Sequence, residues 1–462
     1  MPRRAESAAS KAARRATVIR FIGATSLPAG PRPVAARRAA SRPPAARAAT
    51  PYCRLVTRTP AERTERGLDR LVNFSDAVTA IAITFLVLPL VDVVEEGGYD
   101  DLGPLLADHS GTLAAFVVTF AVIGRLWLVQ HAVFEEVRAY SPALVAVNFV
   151  WLAAIVLLPF AANLLSTVFT DDPSVFALYI GVVIAASAAT LGMRLLLRRD
   201  PALGAGAPQP LSRPLIVLGL LGVALVLAVA VPAVNMLWLL LLLLLEPLDR
   251  WARRRRPRAS ARPVRTPRGL DRLVNFSDAT VAIAITLLVL PLVQLAPEIA
   301  ESGGGVAALL DDHLDQVLAF ALSFVLIAVF WIPHHRVFER ADDYDGPLAW
   351  LDLLWLAAVA FFPFATGVIA LLPDSRGTIG LYVGTMVVMS GALVLIERHL
   401  ERRPELLREG VAGAPLRRAL VPFGLLVLAF ALAMAAPSLW WLLVLLLQRP
   451  VQVLLERRRP AG

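Results

Sequence analysis

The chain has 462 residues, of which 57% are hydrophobic and 18% charged, with a mean hydropathy of +0.66. Soluble domains are about 45–50% apolar, so this composition, with runs such as AVNMLWLLLLLLL over 233–245, excludes a soluble globular protein, and helical runs without strand alternation exclude a transmembrane β-barrel. The formal charge of +9 comes from arginines lying between the apolar runs, which marks cytoplasmic loops and argues against a nucleic-acid partner.

Residues 1–63 are rich in Ala, Arg, Pro and Ser, without a periodic apolar pattern or a continuous signal-peptide core, and are expected to form a disordered tail. A six-span repeat is predicted over 64–248, with spans at 66–90, 112–134, 142–168, 175–197, 214–231 and 233–245. A basic cytoplasmic linker, 249–265, follows. The second repeat, 266–457, has predicted spans at 268–292, 316–338, 347–372, 378–396, 420–435 and 439–455, and 458–462 form a short C-terminal tail. Pro89 and Pro291 are expected to stop the first span of each repeat. The expected fold is an all-α integral membrane protein of two parallel six-helix repeats, twelve transmembrane helices in all.

The repeats are read from a stretch that the chain writes twice. Residues 66–90 read RGLDRLVNFSDAVTAIAITFLVLPL and 268–292 read RGLDRLVNFSDATVAIAITLLVLPL, differing at three of 25 positions: Val78/Thr280, Thr79/Val281 and Phe85/Leu287. Trp127, His131 and Phe134 recur as Trp331, His335 and Phe338; Trp151, Pro159 and Phe160 as Trp355, Pro363 and Phe364; Tyr179 as Tyr382. Acidic connections (Glu95, Asp100, Asp101, Asp171, Asp172) alternate with basic ones (Arg194, Arg198, Arg199, Arg213), and 246–268 hold nine arginines against two acids. The positive-inside rule therefore puts both termini and the linker in the cytoplasm, and an even span count makes the halves parallel.

At 100° per residue, Phe74, Ile81 and Leu88 share one face of the first helix with Thr84 beside them, as do Phe276, Ile283, Leu290 and Thr286 in the second copy. Copies of this face meeting at an axis would form an apolar constriction that gates ions by excluding water. Spacing alone favours an ordinary packing face of a buried helix, since helical apolar stripes are usually core. Asp76 and Arg70 lie six residues apart, about 120° around the helix, so each needs a partner elsewhere. Trp127 and His131 share a face at matching depth and can clamp Asp76, as can Trp331 and His335 with Asp278. Such a clamp is compatible with a purely structural role. Asn148 and Asp352 occupy matching places in the third spans, as polar contacts or as a site. Cys53 is the one cysteine, so no intrachain disulfide or cysteine-based metal site is available. No TVGYG filter, phosphate loop, HExxH or GxSxG occurs. No enzyme, cofactor or metal site is therefore expected.

At Arg70-x3-Phe74-Ser75-Asp76 and Arg272-x3-Phe276-Ser277-Asp278 the sequence resembles the transmembrane protein 175 family of lysosomal and prokaryotic potassium channels, whose hallmark is RxxxFSD on the first of six spans. The resemblance implies a potassium-preferring leak channel that also passes protons, with permeant K+ and no cofactor. It implies four six-span units around a pore lined by first helices, and hence a homodimer for a two-repeat chain. It maps the constriction onto Ile81 and Ile283 and the hydroxyl ring onto Thr84 and Thr286. The Ala/Arg/Pro bias and short loops look bacterial, so the plasma membrane is the expected location. A secondary transporter with two parallel halves is the alternative. A structural membrane protein is a second one.

Overall fold

The computed structural model describes residues 65–95, 98–167, 172–204, 210–231, 241, 244, 248, 267–295, 313–410 and 416–451. The expected tails at 1–63 and 458–462, the linker at 249–265 and most of the sixth span lie outside the described residues.

Among the described residues, ten helices of 19 to 30 residues are long and apolar enough to cross a bilayer, which needs about 20 residues. The first repeat contains α1 (Glu65–Thr84), α2 (Leu88–Glu95), the short α3 (Leu102–Asp108), α4 (Ser110–Phe134), α5 (Pro142–Thr167), α6 (Pro173–Arg199) and α7 (Ser212–Ala230). The second contains α8 (Pro267–Leu287), α9 (Leu290–Gln294), α10 (Leu314–Glu339), α11 (Gly346–Leu371), α12 (Arg376–Arg402) and α13 (Arg417–Ala435). Where the twelfth span is expected, Leu439–Leu447 forms a 3-10 helix.

The first span of each repeat runs past the point where proline is expected to end it. A 3-10 turn, Phe85–Val87, joins α1 to α2, and Pro89 is the second residue of α2. Proline there lacks the N–H that would bond to the Phe85 carbonyl, and its ring crowds that carbonyl. The disturbance therefore appears four residues upstream, and the chain restarts as helix with proline in its first turn, where no N–H is needed. In the second copy α8 ends at Leu287 and α9 restarts at Leu290 with Pro291 in its first turn.

The same bonds recur in both halves. Thr119 Oγ1 and the Tyr179 hydroxyl lie 3.1 Å apart, and Ser323 Oγ and the Tyr382 hydroxyl 2.8 Å. Both tyrosines are buried, and the bond satisfies a hydroxyl that lipid could not.

The halves meet side by side. α1 lies along α8, while α2 and α4 pack against α11. Arg268 reaches Asp69 at 3.2 Å, so the N-terminal turns of α1 and α8 are neighbours and the repeats run parallel. Phe116 packs on Phe361 across this seam at 5.6 Å between ring centroids. Nearby, Gly124 lets α4 approach α11: a Cβ there would meet Leu353 at 3.0 Å. Gly181 has nothing within 4 Å of the same position. Gly124→Val is therefore expected to destabilise the seam by about 1–3 kcal/mol through overpacking. Gly181→Ala should be neutral or stabilising by up to about 1 kcal/mol. Thermal unfolding of the purified variants compares the two.

Candidate functional site: a polar clamp between the repeats

Two buried side chains, one from each repeat, converge on Asp76. Its residues on α1 are placed by the helical stripe Leu68, Val72, Ser75, Asp76, Thr79 and Ile83, all buried, at the three- and four-residue spacing of one helix face. Trp127 Nε1 on α4 donates to Asp76 Oδ1 at 2.8 Å. Arg272 of the second repeat donates from Nε to Oδ2 at 3.0 Å and from an Nη to Oδ1 at 2.8 Å. The pair is bidentate, and both side chains are buried. The same guanidinium donates to the Gln130 Oε1 at 3.0 Å and to the His131 carbonyl at 3.2 Å, and lies 5.6 Å from the Phe134 ring centroid. A fork of planar donors suits arginine to this place.

A second chain of bonds leads away from the clamp. Gln130 Nε2 donates to Asn148 Oδ1 at 3.1 Å. Asn148 Nδ2 donates to Ser75 Oγ at 2.8 Å, and Ser75 Oγ donates to the Leu71 carbonyl at 2.8 Å. Every donor in this run has one acceptor.

The seam is also aromatic. Phe276 is stacked on Trp127 with centroids 4.2 Å apart. His131 Nε2 lies 2.7 Å from the Tyr344 hydroxyl, which belongs to the second repeat. The expected grouping of Asp76 with Trp127 therefore forms, while His131 turns to Tyr344 instead of to the carboxylate.

The second copy of the clamp has its own-repeat parts and lacks its cross-repeat parts. Trp331 Nε1 donates to Asp278 Oδ1 at 2.8 Å. His335 is partly exposed and bonds only along its own helix, to Glu339 at 3.3 Å. Arg70 is exposed and has no ion-pair partner among the described residues. Phe74 is 48% exposed where Phe276 is 0% exposed. The third spans differ likewise: Phe160 of α5 is 57% exposed and its counterpart Phe364 of α11 is 0% exposed.

On the face that the spacing singles out, Ile81 and Thr286 are exposed and Ile283, Leu88 and Leu290 half-buried. Thr84 is buried, its hydroxyl within 2.9 Å of the Ala80 and Ile81 carbonyls. The Thr286 hydroxyl donates to the Ile283 carbonyl at 2.8 Å. Gln130 and Tyr344 carry no sequence signal of their own; only their recurrence as His334 and Tyr140 in the other half marks those positions.

The profile of the family described as "Endosomal/lysosomal potassium channel TMEM175" matches residues 70–159 and 272–363, the segments that hold the two clamps. A potassium channel of Chamaesiphon minutus is 33% identical over 141 residues, covering 30% of this chain and 69% of the relative. The chain belongs to the TMEM175 family. A potassium channel of Streptomyces collinus is 33% identical over 158 residues, 33% of this chain and 75% of the relative. The human endosomal/lysosomal proton channel TMEM175 is 26% identical over 139 residues, 30% of this chain and 27% of its own length.

Removing Arg272 leaves Asp76 as an uncompensated buried charge. Arg272→Met is expected to cost about 3–5 kcal/mol, read from thermal unfolding of the purified protein. Adding Asp76→Asn should recover part of that loss, since an amide needs no counter-charge.

Proposed function

We propose that this chain is a potassium-selective leak-type cation channel, permeable also to protons, that works as a homodimer in the plasma membrane with both termini in the cytoplasm. The observation that carries the reading is the inter-repeat seam, closed once inside the chain and left open once. Repeat one offers Asp76, Trp127 and His131 to Arg272, Phe276 and Tyr344 of repeat two. Repeat two offers Asp278, Trp331 and His335 in the same arrangement, and repeat one carries the matching Arg70, Phe74 and Tyr140, all exposed. Two chains satisfy both open faces by a two-fold axis, which closes a ring of four repeats.

Such a ring brings four first helices, α1 and α8 from each chain, around the axis. Ile81 and Ile283, followed by Leu88 and Leu290, then form the apolar constriction, and Thr84 and Thr286 supply hydroxyls for partly dehydrated K+. Family membership and the potassium-channel relatives support the permeant ion and a transport role in place of an enzymatic one. The plasma membrane reading rests on the composition; the endosomal/lysosomal designation belongs to the human relative. Cytoplasmic termini follow from the arginines at the ends of α6 and α12.

Protein reconstituted in liposomes under a potassium/sodium bi-ionic gradient is expected to show a reversal potential displaced towards the potassium equilibrium potential; a potential near zero counts against selectivity. Ile81→Asn with Ile283→Asn should raise conductance by wetting the constriction. For assembly, Arg70→Glu sets two carboxylates against each other and should yield protomers by light scattering. Adding Asp278→Arg restores an opposite pair and should restore dimers; monomeric wild-type protein in lipid would sink the ring.

A further inference from the structure

The two halves differ at one buried place beside the clamp. In repeat one, Ser75, Asn148 and Gln130 form the neutral chain described above. In repeat two the same positions hold Ser277, Asp352 and His334, with the same connectivity. Ser277 Oγ lies 2.6 Å from Asp352 Oδ2 and 2.8 Å from the Leu273 carbonyl. His334 Nε2 lies 2.7 Å from Asp352 Oδ1. Asp352 is 0% exposed and His334 is 1% exposed.

Counting protons separates the possible states. Ser277 has one hydroxyl proton and two oxygens within reach. In repeat one the amide of Asn148 supplies the missing proton, so that Ser75 can donate to its helix. In repeat two only a protonated Asp352 can donate to Ser277 Oγ and leave the Ser277–Leu273 bond in place. The alternative is an ionised Asp352 beside an imidazolium. That form needs an acceptor for both ring N–H groups, and His334 Nδ1 is buried with no hydrogen-bond partner. The ring is stacked on Trp355, with centroids 3.9 Å apart. An ionised Asp352 beside neutral His334 would accept from the Ser277 hydroxyl and from Nε2–H but would be a buried charge without a counter-charge.

Among the described residues, the one ion-pair contact of Asp352 is that with His334. On α8, Arg272 and Arg268 are bonded to Asp76 and Asp69, Asp278 accepts from Trp331 and Asp271 is exposed. On α10, His335 pairs with Glu339, Arg336 is exposed and Arg340, just beyond its end, pairs with Glu397 of α12. His399 of α12 bonds to Asp345. From the first repeat, His131 bonds to Tyr344, and Asp92 and Arg125 have interactions of their own.

We propose that Asp352 is a proton-binding site: its carboxyl is held neutral, donating from Oδ2 to Ser277 and accepting at Oδ1 from the Nε2–H of a neutral His334. The proton stands in for the amide hydrogen of Asn148. The site occurs once per chain and lies under the first helix of repeat two, between Phe276 in the closed seam and Asp278 in the open one.

Infrared spectra of the full chain in lipid vesicles at neutral pH test this without reading any current. The carbonyl stretch of a protonated carboxyl, sensitive to deuteration, is expected in the wild type and lost in Asp352→Asn, which copies the repeat-one network. No such band at neutral pH, or a band unchanged by Asp352→Asn, overturns the proposal. Should that variant fail to fold, His334→Gln keeps the carboxyl but changes its donor; the band is expected to shift, and a band that stays unmoved overturns the assignment.

Discussion

A carboxylate buried at membrane depth must be matched by a cation, and here the match comes from the other repeat. Asp76 and Arg272 are 196 positions apart in the chain, yet neither can be buried without the other. Their bond fixes the depth of α1 against α8 and holds both helices parallel. Trp127 completes the carboxylate's acceptors and supplies the ring on which Phe276 stacks. A single charge pair thus sets the register of two membrane spans, and the greasy contacts around it add packing without having to choose a register.

Much of this was legible before any coordinates. The RxxxFSD copies, the twofold recurrence and the Trp127–Asp76 grouping follow from residue type and spacing. The source of the guanidinium does not. Helical geometry states only that Arg70 cannot face Asp76; whether the arginine comes from the second repeat or from another chain is a matter of tertiary neighbours. Gln130 and Tyr344 are not legible for the same reason, since a lone amide on an apolar helix or a phenol in a connection has no periodic signature. The 3-10 turn at Phe85–Val87 could have been read: proline acts on the carbonyl four residues before it, so Pro89 points to Phe85. The resemblance added the pore assignment, where spacing by itself favours an ordinary packing face.

Duplication within one chain relaxes a constraint that identical subunits would obey. In a ring of identical units every seam must carry the same residues. Here the polar network behind the first helix is an amide pair in repeat one and an acid–imidazole pair in repeat two. Thr119 likewise faces Tyr179 where Ser323 faces Tyr382. The Asp, Trp, His, Arg and Phe of the clamp are kept in both copies, while the position of Gln130, which accepts from Arg272, is His334 in the second.

The glycine in each RGLDR segment belongs to this account. A Cβ at Gly269 would clash first with the Glu135 carboxylate and would lie 2.8 Å from Cε1 of Tyr344, and one at Gly67 would lie 2.5 Å from Cε1 of Tyr140. Each glycine is thus a socket in which a tyrosine ring rests flush on helix backbone. Filling the socket at position 269 would displace the Glu135 carboxylate and press on the phenol whose hydroxyl meets His131. A residue with no side chain thereby governs whether an imidazole in the opposite repeat keeps its hydrogen-bond partner.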